Sequence, residues 1–253
     1  MSDSVAGGAA AAPPPAPLPA SLPTPLAVLF DVDYTLIEPG DMFHADGYRR
    51  CGEQFGLDLD VGRWEEAERA AYEAVKARRE RSGTRHDNGV YDAIAEAVIV
   101  AMGGGDPETV RACAAAVIAG WSDCANFTLY DDVLPCLERL RAVGLKLALV
   151  SNTNRSLLEV MGFFALEPYI DAAIASVEVG YFKPAPQIYQ TALAALHVGV
   201  GEAVMVGDNP RDDVTGALAV GLAGAVLIDR KGVWDYPVPT IRSLVELPAL
   251  LGL

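Results

Sequence analysis

The feature that most limits how this chain can fold is the placement of its short apolar runs. One, Leu26-Ala-Val-Leu-Phe30, stands alone near the start. Four more, Leu145–Val150, Ala172–Ala175, Ala203–Val206 and Ala225–Ile228, come only after a long gap. Runs this short, apolar throughout and bounded by polar turns, suit parallel strands buried on both faces. Helical patterns separate the late runs, at Val133–Val143, Ser156–Phe163, Ala185–Leu196 and Asp212–Val220, and a last helix is expected near Ile241–Leu250. Strand–helix alternation predicts an α/β fold, a doubly wound, Rossmann-like parallel sheet with helices on both faces.

The gap has a different texture. Ala45–Gly56, Glu65–Arg81, Val90–Met102 and Pro107–Trp121 read as helices, and no strand-like run interrupts them. Asp106-Pro107, after three glycines, is a helix start. An all-helical cap domain inserted into the sheet accounts for this. The expected division is an α/β core of residues 26–38 and 128–253, a helical cap of 39–127, and an Ala/Pro-rich tail of 1–25. That tail cannot bury enough surface to offset its ordering entropy and is expected to be disordered.

Open α/β sheets carry their sites at the carboxyl ends of the strands. Here those ends hold Asp31 and Asp33, then Ser151-Asn152, then Gly207-Asp208, with Asp212 and Asp213 beyond; Lys183 lies in the loop after the third strand. Several carboxylates in a hard-oxygen setting make a Mg²⁺ site, with Lys183 as compensating charge. Residues two apart on a strand share a face, so Asp31 and Asp33 can address one reacting atom. One can attack while the other handles protons, if their environments separate their pKa values.

Phe30-Asp-Val-Asp-Tyr-Thr-Leu36, Val150-Ser-Asn152, Phe182-Lys-Pro184 and Val206-Gly-Asp-Asn-Pro-Arg-Asp-Asp-Val214 resemble the four ordered motifs of the haloacid dehalogenase superfamily. The resemblance runs from Leu26 to the C-terminus, with the helical insertion where capped members carry their cap. It implies a Mg²⁺-dependent phosphohydrolase that cleaves a small phosphate monoester through an aspartyl-phosphate. Asp31 would be nucleophile and metal ligand, and Asp33 the general acid/base, its backbone carbonyl also on the metal. Ser151, the amide of Asn152 and Thr35 would bind the phosphoryl group, and Lys183 would neutralise it. Asp208 would hold Mg²⁺, and Asp213, rather than the adjacent Asp212, would orient the metal shell or Lys183. Many members have Gly where this chain has Tyr34, so the pocket is expected to be narrower.

Alternatives within the superfamily are a 2-haloacid dehalogenase, which needs neither metal nor second acid, and a phosphohexomutase. Outside the enzymes, the alternative is an inactive binding or regulatory module, which would have no need to gather carboxylates that repel one another. A net charge of −15 argues against a nucleic-acid surface, and no apolar run is long enough to span a membrane. The partner that the resemblance implies is a small phosphorylated substrate, with no nucleic acid or membrane partner, and the protein is expected to be a cytoplasmic monomer or homodimer. Cys51, Cys113, Cys124 and Cys136 show no CxxC pair and are expected to be free thiols. The one basic cluster, Lys76 to His86, reads either as a grip on an anionic substrate or as a helix C-terminus favoured by the helix dipole. His44 is a candidate pocket residue; His197 is expected to end a helix, and Trp64 and Trp121 to pack the cap.

Overall fold

In strand β1 (Ala27–Phe30) all four side chains are buried, and they serve two different cores. The computed structural model describes residues 24–253; the expected disordered tail lies, but for Thr24 and Pro25, outside these. Val28 and Phe30 join one apolar cluster, while Ala27 and Leu29 join another on the opposite face. The same alternation holds in β4 (Lys146–Ser151), β6 (Ala203–Gly207) and β7 (Gly224–Ile228). That is why these runs are apolar throughout: period-two geometry sends alternate residues to opposite faces, and both faces are covered. Helices α5 (Val133–Ala142) and α6 (Leu157–Phe163) cover one face; α8 (Pro186–Leu196), which follows the single turn α7 (Ser176–Val179), and α9 (Gly216–Val220) cover the other.

The strands pair in the order β5-β4-β1-β6-β7-β8, with β5 at Ala172–Ala175 and β8 at Thr240–Ile241, and every pair is parallel. The chain fills one side of β1 and then crosses back to the other. The ends of β4, β1 and β6 therefore border a topological switch point, the place where open α/β sheets bind ligands. The fold is a Rossmann-like parallel sheet flanked by helices, as the sequence predicts.

Helices α1 (Ala45–Gln54), α2 (Trp64–Ser82), α3 (Gly89–Ala101) and α4 (Pro107–Trp121) lie in the long gap and share their own apolar cluster. Asp106 caps α4, its carboxylate accepting from the amides of Glu108 and Thr109 with Pro107 in the first turn. Trp64 packs against this cluster, and Trp121 touches both it and the core.

The structure departs from the sequence reading in three places. Strands β2 (Ile37–Pro39) and β3 (Phe127–Leu129) pair antiparallel at the two ends of the gap, with Pro39 opposite Phe127. Three residues per strand give too little alternation to detect. The helix expected over Asp212–Val220 begins as a widened turn, Pro210–Thr215, capped by the Asn209 side chain, and becomes α-helical only at Gly216. Ile241 belongs to β8, not to the last helix; Ser243 caps a short 3₁₀ turn, and α10 spans Leu247–Leu250. The four cysteines are free. No helix among the described residues is long and apolar enough to cross a membrane.

Candidate active site

Because β1 is flanked by β4 and β6, the residues following it meet those that end its neighbours. Lys183 arrives from the loop before α8 and is 2 % exposed. Its Nζ lies 2.6 Å from Asp31 Oδ1 and 2.7 Å from Asp213 Oδ1, and it donates to the Val150 carbonyl at 2.7 Å. Burial alone pulls the ammonium down, but the charges of Asp213 and Asp31 outweigh it and hold Lys183 above the ordinary lysine range. A buried lysine that stays charged is one whose partners are fixed around it.

Carboxylate oxygens of Asp31, Asp208 and Asp213 all lie within 4.8 Å of one another. Burial first, then the charges of Asp31 and Asp213, push Asp208 well above the usual carboxylate range. Burial, opposed by Lys183 and assisted by Asp31, pushes Asp213 to about 7. Asp208 makes no side-chain hydrogen bond among the described residues, and Asp213 Oδ1 is ion-paired with Lys183. Three crowded carboxylates, that of Asp208 free of side-chain hydrogen bonds, are a donor set that could hold a hard divalent cation. Asp212 lines the same cleft but stands outside this cluster, pairing with Arg79 of α2 at 2.8 Å and with the Asn152 amide at 3.1 Å.

Gly207 makes room for this arrangement. A Cβ there would fall 2.2 Å from Asp213 Oδ2, which is itself fixed by the Asn209 amide at 3.0 Å. Gly207→Ala should therefore push Asp213 off the cluster and weaken divalent-cation affinity about 10- to 100-fold. Titration calorimetry with Mg²⁺ checks this; unchanged affinity would mean that Asp213 has no part in holding a cation.

Asp33 projects beside Asp31 and is ion-paired with the buried guanidinium of Arg155, which stacks 4.3 Å from the Phe127 ring centroid. Burial pushes the Asp33 carboxyl up; Arg155 opposes the rise and the Asp31 charge adds to it, leaving the group above its ordinary value. Asp31 and Asp33 thus sit in different environments, one on a lysine and the other on an arginine. Such separation suits two carboxylates to two roles.

Asp31, Asp33, Ser151, Asn152, Lys183, Asp208 and Asp213 line one cleft of about 400 Å³. Thr35 does not reach it: the residue is fully buried, and its hydroxyl donates to Asp31 Oδ2 at 3.3 Å, so it braces Asp31 from behind. The Asn152 side chain clamps the Lys183 backbone, accepting from its amide at 2.6 Å and donating to its carbonyl at 3.1 Å. Tyr34 occupies the left-handed region at φ 61°. A non-glycine residue there costs about 1–2 kcal/mol, which explains why glycine suits this turn, and the side chain borders the cleft.

The basic cluster divides. Arg79 lines the cleft, whereas Arg78 pairs with Asp87 at 2.7 Å. His86 bonds to Ser176 and Asn88 and packs on Phe182. The backbones of Thr84 and His86 bond to Phe182 and Gly180, docking the segment against the loop that carries Lys183. His44 stands at the start of α1 with its ring toward Trp64, away from the cleft, and His197 ends α8. Arg155 is the residue the sequence does not single out, since it stands in no local pattern; Arg79 is marked there only as part of the basic cluster Lys76 to His86.

A family model of haloacid dehalogenase-like hydrolases matches residues 25–221. Over 226 residues the chain is 31 % identical to the ribulose-1,5-bisphosphate 5-phosphatase of Halopiger xanaduensis, covering 88 % of this chain and 92 % of that one. It is 32 % identical over 200 residues to the glyceraldehyde 3-phosphate phosphatase of Methanopyrus kandleri, covering 78 % and 81 %. The crystal structure of a phosphatase of the same superfamily from Thermococcus onnurineus superposes with a TM-score of 0.61 at 28 % identity, covering 89 % and 97 %. With the family model spanning most of the chain, and the expected strand ends converging on one cleft, this protein belongs to the haloacid dehalogenase-like hydrolases.

Proposed function

We propose that the protein hydrolyses phosphate monoesters of small metabolites, with Mg²⁺ as cofactor and Asp31 as the residue transiently phosphorylated. The observation that carries this reading is the meeting of Asp31, Asp208 and Asp213 around buried Lys183 at the strand ends. The phosphatase relatives support it. Asp31 and Asp208, with the Asp33 backbone carbonyl, would hold the Mg²⁺, and Asp213 would orient the shell. When bound, the cation supplies positive charge that lets an anionic phosphate approach anionic carboxylates.

The chain's own residues account for the proton and bond changes. An Asp31 oxygen bonds to phosphorus as the bond from phosphorus to the leaving oxygen breaks, and Asp33 gives that oxygen a proton. Water then attacks the same phosphorus while Asp33 takes its proton, and breaking the Asp31–phosphorus bond releases phosphate. Ser151 and the Asn152 amide position the transferring group, and Lys183 stabilises charge that builds on it. The segment of 39–127 acts as a cap that excludes bulk water and selects the leaving group.

Hydrolysis of 4-nitrophenyl phosphate tests this directly. EDTA should abolish it, Mg²⁺ should restore it, and Ca²⁺ should substitute poorly, because its looser shell misplaces nucleophile and phosphate. Full activity in EDTA would refute the reading, and chloride release from 2-chloropropionate would then establish dehalogenation in its place.

A further inference from the structure

A second cavity, of about 190 Å³, opens off the cleft between the sheet and the cap helices. Asp33, Tyr34, Ile94 and Asn152 line both spaces. Asp33 decides what the second space is for. On the phosphomonoesterase reading it must reach the leaving oxygen, so the leaving group extends from Asp33 into an adjoining space. A third cavity, of about 280 Å³ and bordered by Asp208, Arg230 and Lys231, has no Asp33 in its wall.

The walls of the Asp33-side cavity are unlike those of a sugar site. Toward the cap they are Tyr48, Tyr91, Ile94, Ala95, Ile118 and Trp121, and most of the lined surface is apolar. The polar atoms those six side chains offer are two hydroxyls and one indole N–H, and the Tyr91 hydroxyl already donates to the Asn152 carbonyl at 3.3 Å. On the sheet side Asn152 is held by Lys183 and Asp212, Thr153 by Arg155, and Arg155 by Asp33, which leaves Asn154. A polyol phosphate placed there would find few free partners for its hydroxyls, which buried polar groups do not tolerate. An apolar ring would instead meet flat aromatic and branched surfaces. Size agrees, since a cavity of about 150 Å³ lined by apolar side chains holds a benzene molecule.

We propose that the preferred substrate carries a single-ring, predominantly apolar alcohol as its leaving group, seated among Tyr48, Ala95, Ile118 and Trp121. This rests on the phosphomonoesterase reading. It sets the chain apart from the relatives named for glyceraldehyde 3-phosphate and ribulose 1,5-bisphosphate, whose esters are short, hydroxylated chains.

Benzyl phosphate and glycerol 1-phosphate release primary alcohols of similar basicity, so their comparison isolates recognition from leaving-group chemistry. kcat/KM for benzyl phosphate should exceed that for glycerol 1-phosphate by about tenfold or more. Acetyl phosphate, too small to use the cavity, serves as the control. If either ester is turned over with Mg²⁺ but benzyl phosphate holds no advantage, the inference falls and the phosphatase reading stands. If neither ester nor acetyl phosphate is turned over, both fall. Ala95→Leu places bulk in the cavity and should cut the benzyl-to-glycerol ratio about tenfold. Should that variant misfold, Ile118→Trp, at a half-buried position, gives the same reading. An unchanged ratio in a folded variant overturns the proposal.

Discussion

Asp31→Asn should lower kcat by roughly four orders of magnitude or more, as removal of a covalent nucleophile does elsewhere. The amide keeps the volume of the carboxylate but can neither attack phosphorus nor carry the charge that Lys183 and a cation share. Two effects on stability oppose each other. Lys183 Nζ, 2.6 Å from Asp31, loses one of its two carboxylates, while Asp208 and Asp213 lose a like-charged neighbour. The melting temperature should therefore move by less than about 5 °C. Steady-state kinetics on 4-nitrophenyl phosphate and a thermal melt check both halves. Activity within tenfold of wild type, in a folded variant, would remove Asp31 from the role of nucleophile.

Lys183→Met is expected to harm the fold as well as the reaction. Methionine fills much of the same space, but it strands Asp31 and Asp213 in a buried site without their cation. Breaking a buried pair by deleting one partner costs about 3–5 kcal/mol. In a chain of this size that is a fall of about 10 °C in melting temperature. Added Mg²⁺ should recover part of the loss, because it brings positive charge to the same carboxylates. Turnover should drop at least about 100-fold even with saturating Mg²⁺, since a fixed cation aimed at developing charge is gone. Differential scanning fluorimetry with and without Mg²⁺, run beside the kinetics, separates the two effects. A melting temperature equal to wild type in the metal-free protein would show that Lys183 does not hold the carboxylates together.

What could be read in advance follows from how each group is encoded. Asp31, Ser151 and Asp208 each end an apolar run, so the rule that finds a strand also finds the residue at its tip. Lys183 and Asp213 were reachable through spacing within their motifs. Arg155 was not: it meets Asp33 across 122 residues of chain, and a lone arginine after a strand has no periodicity to mark it. Arg79 meets Asp212 across 133 residues and was visible only as part of a basic stretch. Thr35 shows a different limit, for its place in the motif was plain but not the direction of its side chain. The paired β2 and β3 are too short to alternate visibly, and Ile241 looked helical because its neighbours on the C-terminal side are.

The position of β1 at the middle of the sheet also sets the order in which competence can be acquired during synthesis. The strand that carries Asp31 leaves the ribosome well before its hydrogen-bonding partners, residues 146–149 and 203–206. Lys183 is 152 residues from Asp31, and the strand before Asp208 is the later-made of the two partners of β1. The helices of 39–127 make their contacts mostly with one another, so they can pack while β1 still waits. Long-range parallel pairing closes large loops and is intrinsically late. The nascent chain thus holds Asp31 in an unformed sheet until residues 203–206 have been made, and on the proposed function hydrolytic capacity arrives late in folding.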